Sequence, residues 1–497
     1  MAETYAVECT GITKYFGRVC ANEDVDFTLK RGEILSVLGE NGSGKTTLMN
    51  MLAGIYFPDR GRMLIDGKEE MIKSPRDAFN LRIGMIHQHF KLIDVLTAAE
   101  NIVLGLSRGK KLHSLEEEKK YIRELIDTYG FDLDLDKKIY DMSVSEKQTT
   151  EIVKVLYKGA DILILDEPTA VLTPQEADKL FNVLRIMKKN DKAVVLITHK
   201  LMEVLDVSDR VMVLRKGRNE GVINTSEATV EKLTEMMVGE KVELNIDRDD
   251  PVDPKKYLEV RDLVVKGSDG LISLDGVSFD AYGGEILGVA GISGSGQKEF
   301  LESVAGLTGH ESGDIRFFDA AGNQSDDVKV SLAFVPEDRL GMGLVGSMDI
   351  VDNMMLRSYN EGKGPFVDRK PPRELAEKIV DKLEVVTPGL STPVSRLSGG
   401  NVQKVLLGRE ISQNPQILLV AYPVRGLDIN SSYAIYRLLS EEKKKGVCVI
   451  CVIEDLDILM ELCDRILVLS EGKVTGIEDA RTVTKDRLGL LMTGGID

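Results

Sequence analysis

Cysteine is scarce in this chain of 497 residues, and the five present, Cys9, Cys20, Cys448, Cys451 and Cys463, are an odd set. That excludes a disulfide framework. Cys448 and Cys451 form a Cys-x-x-Cys inside the apolar run 447–453, with no second ligand pair in view. The expectation there is a buried strand, not a metal or redox site. An excess of positive charge is also missing, because 64 Lys and Arg stand against 81 Asp and Glu for a formal charge of -17. No general surface for nucleic acid or for an anionic membrane is expected from that balance. No apolar run approaches the roughly 20 residues that span a bilayer. The start, Met1-Ala2-Glu3-Thr4, lacks a basic segment followed by an apolar one. The expectation is a cytoplasmic protein that meets a membrane only through a partner.

What is present occurs twice. Gly39-Glu40-Asn41-Gly42-Ser43-Gly44-Lys45-Thr46, followed by Thr47, returns as Gly291-Ile292-Ser293-Gly294-Ser295-Gly296-Gln297-Lys298. Met142-Ser143-Val144-Ser145-Glu146 returns as Leu397-Ser398-Gly399-Gly400-Asn401, and the strand ending at Asp166 returns ending at Ala421. The copies lie about 250 residues apart, far beyond solenoid periods, so each is a whole domain. The charged, proline-punctuated stretch 245–256 reads as a linker between domains at 1–244 and 257–497. Short β-branched runs alternate with helical patterns in both halves, which predicts an α/β fold with a parallel sheet covered by helices. A helix-rich segment is expected over 98–140. Its charged run 115–120 reads as a solvated helix face.

The two copies differ in opposite places. In the first, residues 39–46 follow a strand and precede a helical pattern, the context in which G-x-x-x-x-G-K-[ST] binds phosphate. The glycines let backbone N–H groups close around phosphates at a helix N-terminus, Lys45 reaches the β- and γ-phosphates, and Thr46 can hold Mg²⁺. The apolar strand 162–165 then ends in two carboxylates. Asp166 suits the metal shell, and Glu167 suits polarisation of an attacking water. A further apolar strand, 194–197, leads through Thr198 to His199, which is placed to contact the γ-phosphate.

On these residues the chain resembles the ATP-binding subunit of an ABC transporter, with both nucleotide-binding domains in one polypeptide. The resemblance implies two P-loop NTPase domains, each with a RecA-like core, an antiparallel β subdomain and a helical subdomain. It implies ATP and Mg²⁺ as cofactors, with Gly39, Glu40, Asn41, Gly42, Ser43, Gly44, Lys45, Thr46 and Thr47 holding phosphate. Gln88 would join Thr46 and Asp166 at the metal, with Glu167 as base and His199 as the switch residue. Phe16 matches the aromatic that stacks on adenine, although Tyr15 is an alternative and a core role is equally open.

In the second copy Gln297 replaces the lysine, Lys298 takes the hydroxyl position, Ala421 and Tyr422 replace the two carboxylates, and Glu454 stands where His199 does. Those losses remove the electrostatic stabilisation that phosphoryl transfer needs. The Lys298 ammonium is a candidate stand-in for Mg²⁺. Leu397-Ser398-Gly399-Gly400 resembles the family's signature motif, which caps the γ-phosphate of ATP bound to the opposite domain, and Asn401 stands where Gln is usual. In the first copy Ser145 replaces a signature glycine, and Glu146 is expected to bring an acid toward the triphosphate. The resemblance therefore implies one working site, Walker residues from the first domain and Ser398, Gly399 and Gly400 from the second.

The second-half loop, Val335-Pro336-Glu337-Asp338-Arg339 and Arg425-Gly426-Leu427-Asp428 are similar to those of bacterial monosaccharide importers. The segments 86–92 and 96–105 are closer to the nucleoside-uptake branch of that group. The implied partners are two integral-membrane permeases and, indirectly, an extracytoplasmic substrate-binding protein, with no nucleic acid; the implied location is the cytoplasmic face of the membrane. Gln88 and Glu337 would sense nucleotide-driven closure. Soluble ABC proteins that act on ribosomes are the other class considered, but those keep both Walker sets and carry a long basic linker.

Overall fold

Short runs with no polar face set the architecture. Ile34–Leu38, Ile162–Asp166 and Ala193–Thr198 are buried along their whole length and pair in parallel, as expected of strands covered on both sides. The computed structural model describes residues 5–87, 90–104, 114–170, 172–241, 244–246, 248–251, 254–267, 269–319, 321–325, 331–360 and 367–495. The chain divides into two compact units, Met1–Glu243 and Leu244–Asp497.

In the first unit a six-stranded sheet runs in the order Arg218–Asn224, Arg210–Arg215, Ile34–Leu38, Ala193–Thr198, Ile162–Asp166, Ile83–Ile86. Only the outermost Arg218–Asn224 pairs antiparallel. Alternation along each strand sends side chains to opposite faces. Ile162 and Ile164 pack with Leu48 and Met49 of the P-loop helix and with Phe27 of a second, antiparallel sheet. Leu163 and Leu165 pack with Leu180, Leu184 and Met187 of the helix Pro174–Lys189. The antiparallel sheet comprises Val19–Lys30, Tyr5–Phe16, Arg60–Ile65 and Lys68–Glu70.

A separate core of Ile102, Ile122, Ile126, Met142 and Val153 holds the helices Ala98–Val103, Leu115–Tyr129 and Val144–Tyr157 together. Here the charged run departs from expectation. Glu118 and Lys119 are buried: the Tyr157 hydroxyl donates to Glu118 Oε2 at 2.7 Å, and Lys119 Nζ donates to Glu116 and Asp136 at 2.7 and 2.6 Å. Five consecutive charged residues, Glu116 to Lys120, must place some side chains on the inward face of a helix. These two are tolerated there because each has a polar partner.

The second unit repeats the plan. Its large sheet orders Leu332–Val335, Ile417–Ala421, Cys448–Val452, Ile286–Gly291, Arg465–Ser470 and Lys473–Asp479, again with one antiparallel edge. Cys448 and Cys451 lie on a fully buried strand, and no cluster of three or more metal-ligating side chains occurs among the described residues. Within 244–255 the described residues form no helix or strand. The segment is nonetheless fastened to the second unit: Ile246 is buried in its core, and Arg248 Nη1 donates to the carbonyls of Met460 and Cys463 at 2.7 and 2.6 Å. No described helix is long and apolar enough to cross a membrane.

Candidate functional site

The phosphate loop of the first unit begins where the central strand Ile34–Leu38 ends and closes into the helix Lys45–Leu52. Gly39 lies so close to the neighbouring strand that a Cβ there would come within 2.2 Å of the Leu214 carbonyl. Gly44, the helix N-cap, has φ 98°, and a Cβ would meet the Ala21 carbonyl at 2.5 Å. Both positions therefore need glycine, one for space and one also for its backbone angle. The first turn carries no acidic side chain, so its N–H groups and the helix dipole remain suited to an anion.

Lys45 is buried, and its ammonium donates to the carbonyls of Gly39 and Glu40 at 2.7 and 2.9 Å. Burial pulls its pKa below the usual lysine range, opposed by the carboxylates of Glu167, Asp166 and Glu40. Asp166, at the end of Ile162–Asp166, is 9% exposed. Burial pushes its carboxyl upward, the Glu167 charge adds to that, and a hydrogen bond with Thr46 and the Lys45 charge oppose it. An exposed hydroxyl at Thr46 beside the Asp166 carboxylate is a hard-oxygen pair that suits Mg²⁺.

Glu167 sits in the left-handed region at φ 47°, held there by its N–H donating to the Ile197 carbonyl at 2.9 Å. That turn aims its carboxylate toward the end of the next strand, where His199 Nδ1 lies 3.1 Å from Glu167 Oε1. A carboxylate only accepts, so Nδ1 carries the hydrogen of that bond. The bond holds the Glu167 carboxyl below its ordinary range, with burial opposing it and the charges of His199, Lys45 and Lys200 helping.

Lys45, Thr46, Asp166, Glu167 and His199 are thus brought together as expected from sequence. Phe16 is 43% exposed, edge-on to Tyr56 with ring centroids 5.1 Å apart, so it is available at the surface and is not a core residue; Tyr15 is equally exposed. Gln88 lies outside the described residues.

The second unit keeps the frame and loses the chemistry. Gly296 caps the helix Gln297–Val304 at φ 97°, matching Gly44. Gln297 Nε2 donates to the Ile292 carbonyl at 3.0 Å, so a neutral amide makes the loop contact that Lys45 makes with a charge. Tyr422 repeats the turn of Glu167, with φ 46° and its N–H on the Val452 carbonyl at 2.9 Å. Lys298 is 70% exposed, its nearest carboxylate being Glu302 at 3.9 Å. Arg425 pairs with Glu337 and, at 3.5 Å, with Glu454, and it lies 5.6 Å from the Tyr422 ring centroid. An internal cation therefore joins the residues at the positions of Gln88, His199 and Glu167.

The two signature segments differ in how their helices begin. Ser143 is the N-cap of Val144–Tyr157 in a closed capping box: its Oγ accepts from Glu146 N at 3.2 Å, and Glu146 Oε2 accepts from Ser143 N at 2.7 Å. Lys137 Nζ donates to both oxygens of that carboxylate at 2.8 Å. The expectation that Glu146 carries an acid toward triphosphate is corrected here. Its charge is paired with Lys137, and its carboxylate and backbone N–H are engaged with Ser143 at its own helix start. The Ser-x-x-Glu spacing is the signal that identifies such a box. In the second unit Ser398 caps Gly399–Ile411 without any side-chain cap bond. A Cβ at Gly400 would lie 2.5 Å from Ser431 Oγ, so a larger residue there would have to displace that hydroxyl from its hydrogen bond to Asp428.

The sequence profile described as "ABC transporter" matches residues 22–170 and 274–423. The nucleoside import ATP-binding protein NupA of Lactococcus lactis subsp. cremoris is 40% identical over 503 residues, covering 100% of this chain and 99% of its own. The glucose import ATP-binding protein TsgD13 of Haloferax volcanii is 38% identical, covering 98% and 95%. The guanosine import ATP-binding protein NupO of Bacillus subtilis is 37% identical, covering 99% and 98%.

Proposed function

Because the chain belongs to the ABC transporter family, with two of its ATP-binding domains in tandem, we propose that it is the ATP-hydrolysing subunit of a nucleoside importer with a single productive set of catalytic residues. The observation that carries the catalytic half is the convergence of Lys45, the Thr46–Asp166 pair and the Glu167–His199 pair on one strand–helix frame. Bound Mg²⁺ and ATP would supply the phosphoanhydride and the cation that neutralises its charge. Lys45 can exchange its two loop carbonyls for phosphate oxygens without moving its backbone. Thr46 and Asp166 offer oxygen ligands to the metal, and Gln88 is proposed as the third. Glu167, kept ionised by His199, accepts the proton of an attacking water, and His199 fixes the carboxylate for that step. Phe16 offers a face for adenine, with Tyr15 as the alternative.

Turnover also requires the Ser398-Gly399-Gly400 helix start in this reading, because the first-unit counterpart is closed on itself by Glu146. In ATPase assays of the full chain, Lys45→Ala, Glu167→Gln and Ser398→Arg should each lower the rate by about a hundredfold or more. Gln297→Ala and Ser143→Ala should stay within about twofold of the parent. Equal losses in both groups would sink the single-set reading.

Nucleoside as the cargo is supported by the names of two relatives that span this chain, one importing nucleosides and one guanosine. Glucose is the second reading, favoured by the third relative. The working partners are two permeases and an extracytoplasmic binding protein, with this chain at the cytoplasmic face. Uptake of labelled guanosine and of glucose into vesicles carrying the assembled transporter decides between the two cargoes.

A further inference from the structure

Ser398 is the N-cap of a thirteen-residue helix, yet its hydroxyl does not cap it. In most helices a serine at this position turns inward and accepts from the N–H of the second or third residue, as Ser143 does in the first unit. The hydroxyl of Ser398 is held by another group: Asn401 Nδ2 donates to Ser398 Oγ at 2.8 Å. The opposite end of the same amide is tied down by the backbone, since Val386 N donates to Asn401 Oδ1 at 2.9 Å.

The second bond fixes the meaning of the first. A backbone N–H can only donate, so the amide atom facing Val386 is the oxygen, and the atom facing Ser398 is the NH₂, which has no lone pair to offer. Ser398 Oγ must therefore accept from Asn401, and its own hydrogen points elsewhere. Asparagine at the third helical position makes this arrangement directly, hydroxyl to amide across three residues. At the same spacing in the first unit, Glu146 reaches the backbone N–H of Ser143 and closes the helix end. The two units thus place the same serine on the same kind of helix start and give its oxygen different donors. The backbone N–H of Glu146 turns Ser143 onto its own helix end, whereas the side-chain amide of Asn401 holds Ser398 off it and leaves the Ser398 hydroxyl hydrogen free to donate.

We propose that Asn401 is a positioning residue for ATP turnover: it orients the Ser398 hydroxyl as an outward hydrogen donor toward phosphate and keeps it from capping its own helix. The inference rests on the requirement for Ser398 stated above.

The test uses the full-length chain and variants at the two positions. Asn401→Ala should lower kcat by about fivefold, the size of one lost orienting hydrogen bond, while binding of a non-hydrolysable ATP analogue is unchanged. Asn401→Asp should lower it further, because a carboxylate accepts the Ser398 hydrogen and turns it inward. Asn401→Gln, which restores an amide, should recover most of the rate. In a Ser398→Ala background, Asn401→Ala should cost nothing more. Full activity of Asn401→Ala or of Asn401→Asp overturns the proposal. So does a loss that multiplies with that of Ser398→Ala, or one that follows a lowered unfolding midpoint equally in all three Asn401 variants. If Ser398→Ala is itself harmless, both this inference and the requirement for Ser398 fall together.

Discussion

Glu167 is a residue whose usefulness depends on a neighbour. Its left-handed backbone costs on the order of 1 kcal/mol or more for a non-glycine residue, and the turn is kept because it aims the carboxylate at His199. The sign of the linkage follows from the depressed pKa. A base held below its ordinary range stays ionised to lower pH, so the acid limb of the rate profile is set low. Removing His199 takes away the largest cause of that depression. The residual activity of His199→Ala should therefore show its acid limb displaced to higher pH, read from kcat/KM against pH. An unmoved limb would mean that Glu167 is not the titrating base. Glu146 gives the complementary lesson. Its motif can be read from Ser143 and Glu146 alone, but its pairing with Lys137, nine positions earlier, appears only when helix and loop are packed.

Among elements, the caps are the part most open to reading from sequence. Thr97 with Glu100, Ser114 with Glu117 and Thr173 with Glu176 all close capping boxes at helix starts. The join between the halves was legible as irregular, but not as a strap. Charge and proline predict the lack of periodic structure; nothing local predicts that Ile246 enters a core, or that Arg248 reaches the carbonyl end of Leu456–Leu462, more than 200 positions away. A guanidinium at a helix C-terminus satisfies two orphan carbonyls and opposes the dipole. Arg248→Ala should destabilise the second unit by about 1–3 kcal/mol and expose 244–251 to proteases, as measured by thermal unfolding and limited proteolysis. An unchanged midpoint would show that the strap is incidental. The Arg425 cluster belongs to the same scale: Glu337 and Glu454 come from two different strand ends, and the sequence places them near each other only through the repeat.

Across the whole molecule the two units have their own sheets and their own cores, which is why each is expected to fold alone. Residues 1–243 expressed separately should bind ATP but turn it over slowly, because they contain Lys45, Asp166, Glu167 and His199 and no open signature helix. Residues 244–497 should be inactive, and mixing the two should restore turnover in proportion to their concentration. Full activity of 1–243 by itself would remove any need for Ser398. The sequence by itself determined the duplication, the parallel-sheet class and the identity of the intact and lost motifs. Those depend on residue type at fixed local spacing, and glycine, lysine and carboxylate positions in a phosphate loop cannot be permuted without loss of the pattern. Only the tertiary structure decided the partners of these groups: Glu167 held ionised against His199, Glu146 paired with Lys137, and the Asn401 amide turned by the Val386 N–H so that its NH₂ faces Ser398. Such states depend on burial and on partners brought in from distant strands, and hydrogen-bond direction is set by atoms that no local pattern places.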